Sequence, residues 1–191
     1  MYVEQIRDTI AEPRYDTVAL PAAGSVQLTF FALPLGQGVT AFGAGTKTYA
    51  DTNMELAGQL PNPYTFTIMG FRLAFPWNVP AADLVLAING AVFSLFIGAK
   101  PFLRVPARTI PSGNGAFIST NAGSTAAANV SSATSGWPHM ANGFAIGRKP
   151  LVLTPTENFQ VTLSWPGGLQ VIGAQTFITI YLDGVLRRGA Q

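Results

Sequence analysis

Cysteine is missing from all 191 residues, so disulfide scaffolds, thiol catalysis and cysteine-held zinc are excluded outright. Histidine occurs once, as His139 in "GWPHMANG". Charge is scarce at 10% of residues, against roughly 25% in ordinary globular domains. A monomer of this size would expose roughly 8,700 Å². That leaves more than ~400 Å² for each charge, which is sparse for a free surface. Between Arg108 and Arg148 there is no Lys, Arg, Asp or Glu at all. Within that stretch "NAGSTAAANVSSATSG" (Asn121–Gly136) also lacks any aromatic or proline.

Long apolar runs are missing too. No window holds the ~18 uninterrupted apolar residues that a membrane-spanning helix needs. The most apolar run, "DLVLAINGAVFSLFIG" (Asp83–Gly98), is broken by Asn89-Gly90 and Ser94. The opening "MYVEQIRDTIAE" alternates charges around no apolar core, which predicts no signal peptide. Together these absences predict a soluble fold whose surface is largely covered by other subunits.

The net charge of +2 is unevenly placed. Glu4, Asp8, Glu12 and Asp16 put four of the nine acids in the first sixteen residues. Beyond them, nine Lys+Arg against five Asp+Glu leave a net of +4. The only basic doublets are Arg148-Lys149 and Arg187-Arg188. That is too little clustering for a nucleic-acid footprint, so no sequence-specific nucleic acid is expected as a partner.

What the chain does have is strand pattern. "NFQVTLSWP" (Asn158–Pro166) alternates, with Phe159, Val161, Leu163 and Trp165 expected inward and Gln160, Thr162 and Ser164 outward. "SVQLTFFAL" (Ser25–Leu33) and "YTFTIMGFRLAF" (Tyr64–Phe75) are rich in β-formers, the second with Phe66, Ile68 and Gly70 on one face. "TFITIYL" (Thr176–Leu182) is expected as the last strand, with Asp183-Gly184 turning out of it. Further strands are expected over residues 91–97, 102–105 and 151–153. With 14 prolines and 20 glycines as punctuation, the pattern predicts an all-β sandwich.

Two segments carry helical signals. Val3, Ile6 and Ile10 share a helical stripe, with Pro13 as a stop, which predicts a short N-terminal helical arm within residues 1–22. "PAADLVLAING" (Pro80–Gly90) fits a helix from a first-turn proline to Asn-Gly; a hairpin turning at Asn89-Gly90 is the competing reading. The tract from Pro111 to Gly143 is predicted to be one long uncharged loop, anchored by Phe117, Ile118, Trp137 and Met140.

Catalytic constellations are lacking. A Ser-His-Asp arrangement could draw only on His139, and no G-x-S-x-G accompanies it. No cluster of His, Cys or close carboxylates has metal-ligand spacing, and the acids are too scattered for a glycosidase pair. "GQGVTAFGAG" (Gly36–Gly45) lacks the Lys-Ser/Thr of a phosphate loop and is expected to be a flexible turn. "NVS" (Asn129–Ser131) is a formal glycosylation acceptor only. Trp77, Trp137 and Trp165 with Tyr64 and Tyr181 could line a carbohydrate platform, though core and interface packing explains them better. No enzyme, cofactor or metal is expected.

The segments "LPNPYTFTIMGFRLAF", "LVLAINGAVFSLFIGAKPFLRVPARTIP" and "KPLVLTPTENFQVTLSWPGG", with the close "TFITIYLDGVLRRGAQ", resemble a known pattern. Over roughly residues 25–191 the chain is similar to the small single jelly-roll major capsid proteins of tailless icosahedral phages. The nearest type is that of the membrane-containing Thermus phages and haloarchaeal sphaerolipoviruses. The resemblance implies a single jelly-roll domain over residues 23–191 whose barrel stands upright on the particle. It implies a virion protein, made in the host cytoplasm, that self-assembles into an icosahedral shell. Its partners would be copies of itself, other capsid or vertex proteins, and an internal membrane beneath the shell. On this reading Val3, Ile6, Ile10, Asn121, Ala126, Ala128, Ser131 and Trp137 lie at subunit interfaces, where burying charge would be costly. The alternative is a jelly-roll binding module, such as a phage spike or carbohydrate-binding domain.

Overall fold

The computed structural model describes residues 7–76, 79, 81–110, 117–120, 131–134, 144–146 and 150–189. In chain order they form β1 (Arg7–Ala11), β2 (Arg14–Leu20), β3 (Gln27–Phe30), β4 (Thr65–Ala74), α1 (Ala81–Asn89), β5 (Val92–Ile97) and β6 (Lys100–Pro106). A 3₁₀ turn at Ala107–Thr109 follows, then β7 (Phe117–Thr120), β8 (Ser131–Thr134), β9 (Phe144–Ala145), β10 (Leu151–Leu153), β11 (Phe159–Ser164) and β12 (Thr176–Gly189). Every strand pairing among them is antiparallel.

In the first sheet β12 is central, with β1 and β2 along one side and β4 along the other; β9 and β10 both pair with the far side of β4. The second sheet has the order β3-β11-β5-β6. The two sheets face each other across one core, where the rings of Phe71 on β4 and Phe93 on β5 lie 5.3 Å apart. The fold is all-β with little helix.

Inward side chains form rows across the second sheet. Leu163 on β11 sits opposite Leu28 on β3 and Phe93 on β5; Val161 sits opposite Phe30 and Leu95. All six are buried, as are Phe159 and Trp165. Gln160 is exposed and Ser164 half-buried, as alternation predicts. Thr162 points away from this core but is buried as well, between Thr29 and Ser94. A short side chain on a central strand is shielded by its flanking strands.

The N-terminal segment departs from expectation. Over Arg7–Ala11 it is a strand, not a helix. β1 and β2 keep one unbroken register along β12, from Arg7 opposite Gly189 to Leu20 opposite Thr176, on both sides of Glu12-Pro13. The physical reason is that a nine-residue helix is marginal in water, whereas the ladder gives each of these residues a partner on β12. Val3 and Ile6 lie outside the described residues.

A second correction concerns Asp183-Gly184, which does not turn the chain out. β12 continues to Gly189, and the irregularity belongs to β4. There Ile68 pairs with Gly184 and Gly70 with Asp183, so Met69 is an extra residue. This bulge switches the parity of β4: Phe66 and Ile68 are buried before it, Phe71 and Leu73 after it. β12 keeps one parity throughout, with Ile178, Ile180, Leu182 and Leu186 all buried. Glycine is required at 184, because a Cβ there would lie 2.1 Å from the Thr67 carbonyl oxygen and 2.7 Å from the Phe66 ring.

Between the sheets' strands, residues 81–89 take the helical alternative. α1 buries Asp83, Leu84 and Ala87. The Trp165 indole N–H donates to the Ala87 carbonyl at 3.0 Å, and the Gly173 N–H donates to Asp83 Oδ1 at 2.9 Å. The tract 111–143, expected to be all loop, contains the ribbon β7–β8, with Phe117 opposite Thr134 and Thr120 opposite Ser131.

Candidate functional site

Of the residues expected at interfaces, two are described. Ile10 is half-buried on β1 opposite Leu186, and Ser131 begins β8 opposite Thr120. They stand in separate sheets, and the structure does not bring them together. Val3, Ile6, Asn121, Ala126, Ala128 and Trp137 lie outside the described residues, as does His139. The aromatic platform does not form around Trp165, which is buried.

The most developed polar arrangement includes Gly36–Gly45, expected from sequence to be a flexible turn. The connection from β3 to β4 is tied to the outer edge of β2. It starts at Phe31, whose φ of 67° is unusual for a bulky residue. Asp16 Oδ2 accepts the Phe31 N–H at 2.7 Å, the Gly58 N–H donates to the Phe31 carbonyl at 2.7 Å, and the ring packs 5.4 Å from Phe159. The other oxygen of Asp16 holds Lys47 Nζ at 2.5 Å, both groups buried. Burial pushes the Asp16 carboxyl pKa up, against the pull of Lys47 and the Phe31 N–H.

Residues 51–53 then run beside β2 and close its edge. The Thr17 N–H donates to the Asp51 carbonyl at 2.8 Å, the Tyr15 N–H to Asn53 Oδ1 at 3.1 Å, and the Thr52 hydroxyl to the Tyr15 carbonyl at 3.0 Å. Arg14 donates to the Asn53 carbonyl at 3.1 Å. The Asp51 carboxylate organises the loop itself. It accepts from the Ala41 N–H at 2.6 Å, the Thr40 hydroxyl at 2.7 Å, and the Thr48 N–H and hydroxyl at 2.9 and 3.2 Å. Desolvation alone would raise the Asp51 pKa, but these four bonds outweigh it and hold the carboxyl below its usual range.

Beside this loop the outward face of the first sheet carries the row Tyr15, Tyr181 and Arg72, from β2, β12 and β4. The two tyrosine rings lie 5.8 Å apart, and the Arg72 guanidinium sits 4.6 Å over Tyr181. Arg72 also grips Asp183 through two bonds of 2.6 and 2.7 Å. The Tyr15 hydroxyl donates to the Tyr49 carbonyl. On this rigid base the loop shows solvent its apolar side chains: Val39 is 79%, Tyr49 69% and Phe42 59% exposed. Phe42 leans on Phe177 of β12, the rings 6.0 Å apart.

The carboxylates of this arrangement are taken up in holding the loop and sheet together. Asp16, Asp51 and Asp183 are buried and engaged in structural bonds, and Asp83 ties α1 to Gly173. Among the described residues no group of three or more His, Cys, Asp or Glu is placed to hold a metal ion. A signal for the network was present in sequence. Asp16 interrupts the strand "RYDTVAL", and a carboxylate buried in a strand demands a partner.

The lowered pKa of Asp51 has a pH signature. A carboxyl whose folded pKa lies below its unfolded value contributes stability above the unfolded pKa and loses it as pH falls through the folded one. Asp51→Asn should therefore melt below the wild type at pH 7. The gap should narrow below about pH 4, the unfolded aspartate value. Thermal melts of both proteins from pH 7 to pH 2 check this; a gap independent of pH would contradict it.

No protein-family model, curated protein or solved structure matches this chain.

Proposed function

We propose that this chain is a virion structural protein, a major capsid protein that self-assembles into an icosahedral shell. The observation that carries the proposal is the strand order. Counting β1 with β2 and β9 with β10, eight strand positions form two four-strand layers, with β2, β12, β4 and β10 in one and β3, β11, β5 and β6 in the other. That order supports a jelly-roll reading, the architecture of many viral capsid and lectin domains. Against a lectin-like or spike module stands the chemistry of the surface. Charge is sparse, and four of the nine acids are buried within the fold. Subunit interfaces are depleted in Lys, Glu and Asp in the same way.

The exposed Phe42 and Tyr49 favour contact with another protein surface, and on this reading they meet neighbouring subunits or vertex proteins. Under the proposal an internal membrane lies beneath the shell, as in the phages the sequence resembles. Sedimentation velocity of the purified chain over a range of salt and protein concentration tests the reading. Large, homogeneous assemblies are expected. A chain that stays monomeric or trimeric throughout, and binds glycans, would favour the binding module instead.

A further inference from the structure

The edges of the two large sheets are treated unequally. β6, the edge of the second sheet, carries Pro101 and Pro106 with Lys100 and Arg104, the residues that blunt an edge against strand pairing. β9 and β10 are two and three residues long. β3 has four residues, held at its ends by the Ser25–Gln170 bridge and the Phe31 contacts. The edge of β2 is closed by residues 51–53. That cover stops at Glu12-Pro13.

β1 has none. On β2 the outward backbone groups are those of Tyr15 and Thr17, and the unbroken register carries the same alternation into β1. Arg7, Thr9 and Ala11 therefore turn their N–H and C=O groups away from β12. Thr9 and Ala11 are exposed, and no described residue hydrogen-bonds to their outer side. β1 carries Arg7 and Asp8 at its start but no proline, and from Thr9 on its sequence is uncharged; a strand edge that no described residue covers is a template for another extended chain.

We infer that β1 pairs edge to edge with β1 of a second copy, joining two first sheets across a two-fold axis. The sequence of the strand selects one antiparallel register. Centred on Thr9, the pairing sets Thr9 opposite Thr9, Asp8 opposite Ile10 and Arg7 opposite Ala11 of the second copy. Centring on Arg7 or Asp8 would oppose like charges, centring on Ile10 would set Asp8 against Glu12, and centring on Ala11 would bring Arg7 against Tyr15, whose outer edge Thr52 and Asn53 already occupy. A two-fold contact of this kind is self-complementary and closes both open edges at once.

Thr9→Pro and Thr9→Lys test the inference by sedimentation equilibrium beside thermal melting. The proline deletes an outward donor without touching the bonds of Asp8 and Ile10 to β12. The lysine leaves every donor in place and sets two ammonium groups face to face. At concentrations below those that build larger particles, wild type should dimerise, and both variants should weaken the dimer by roughly tenfold or more while the monomer melts unchanged. If the proline variant folds poorly, the lysine variant decides. A wild type that never associates, or variants that associate as tightly as wild type, overturns the inference. The inference does not rest on the capsid reading: a β1-dependent dimer that builds no larger particle leaves it standing while removing the proposed function.

Discussion

Lys47→Met is expected to destabilise the fold by about 3–5 kcal/mol at neutral pH, the range for removing one member of a buried ion pair. Asp16 is fully buried, and Lys47 supplies the only cation in contact with its carboxylate among the described residues. Without that ammonium group the carboxylate stays in an apolar site with the Phe31 N–H as its main support. Its pKa, already raised by burial, should climb further. The sign of the pH dependence follows. A carboxyl with a raised folded pKa favours the fold below its unfolded value and loses that contribution as pH rises through the folded one. The deficit of Lys47→Met should therefore be largest at neutral pH and shrink in acid, where Asp16 becomes neutral. Asp16→Asn combined with Lys47→Met should recover part of the loss, since an amide oxygen can still accept the Phe31 N–H. Urea unfolding of the three proteins at pH 7 and pH 4.5 checks this. A single variant within about 0.5 kcal/mol of wild type at pH 7, the range of surface changes, would mean that the pair is solvated and does not anchor the loop.

Leu163→Ala should cost about 2–5 kcal/mol, the range for truncating a buried leucine. Leu163 is 1% exposed at the centre of the inward row Leu28, Leu163, Phe93 and Val105, which spans the second sheet. The facing sheet leaves it little room to collapse, because Phe71 already packs against Phe93. Gln160→Ala, three residues away on the outward face, should change stability by no more than about 0.5 kcal/mol. The contrast between the two tests register directly, because a one-residue slip would exchange the faces of β11. Equal losses in both variants would refute the assigned pairing.

How far the fold was legible depended on how local its signals were. β11 and β10 follow from alternation and flanking prolines, since their inward residues repeat every second position without interruption. β4 was legible as a strand but not as a bulged one; the extra residue Met69 makes sense only opposite Gly184, more than a hundred residues away. The same partner explains β1. Ile10 fits a helical stripe in isolation, and only the 14-residue β12 makes the extended form the better one. β7 and β8 were missed because "FIST" and "SSAT" carry few large apolar residues, so their pairing leaves little trace in periodicity. The surface around residues 39–53 was missed for a related reason. "GQGVTAFGAG" has the composition of a flexible turn, and its order comes from Asp51, which follows it, and from Asp16, which precedes it. Ion pairs between distant residues leave no spacing rule to read.

The proposed function is shell building. Negative-stain electron microscopy of the particle fraction from its source, with the protein content of that fraction quantified by mass spectrometry, tests it most directly. Uniform icosahedral particles in which this chain is the most abundant protein are expected. Recovery of the chain only outside such particles, as a free monomer or small oligomer, would contradict it.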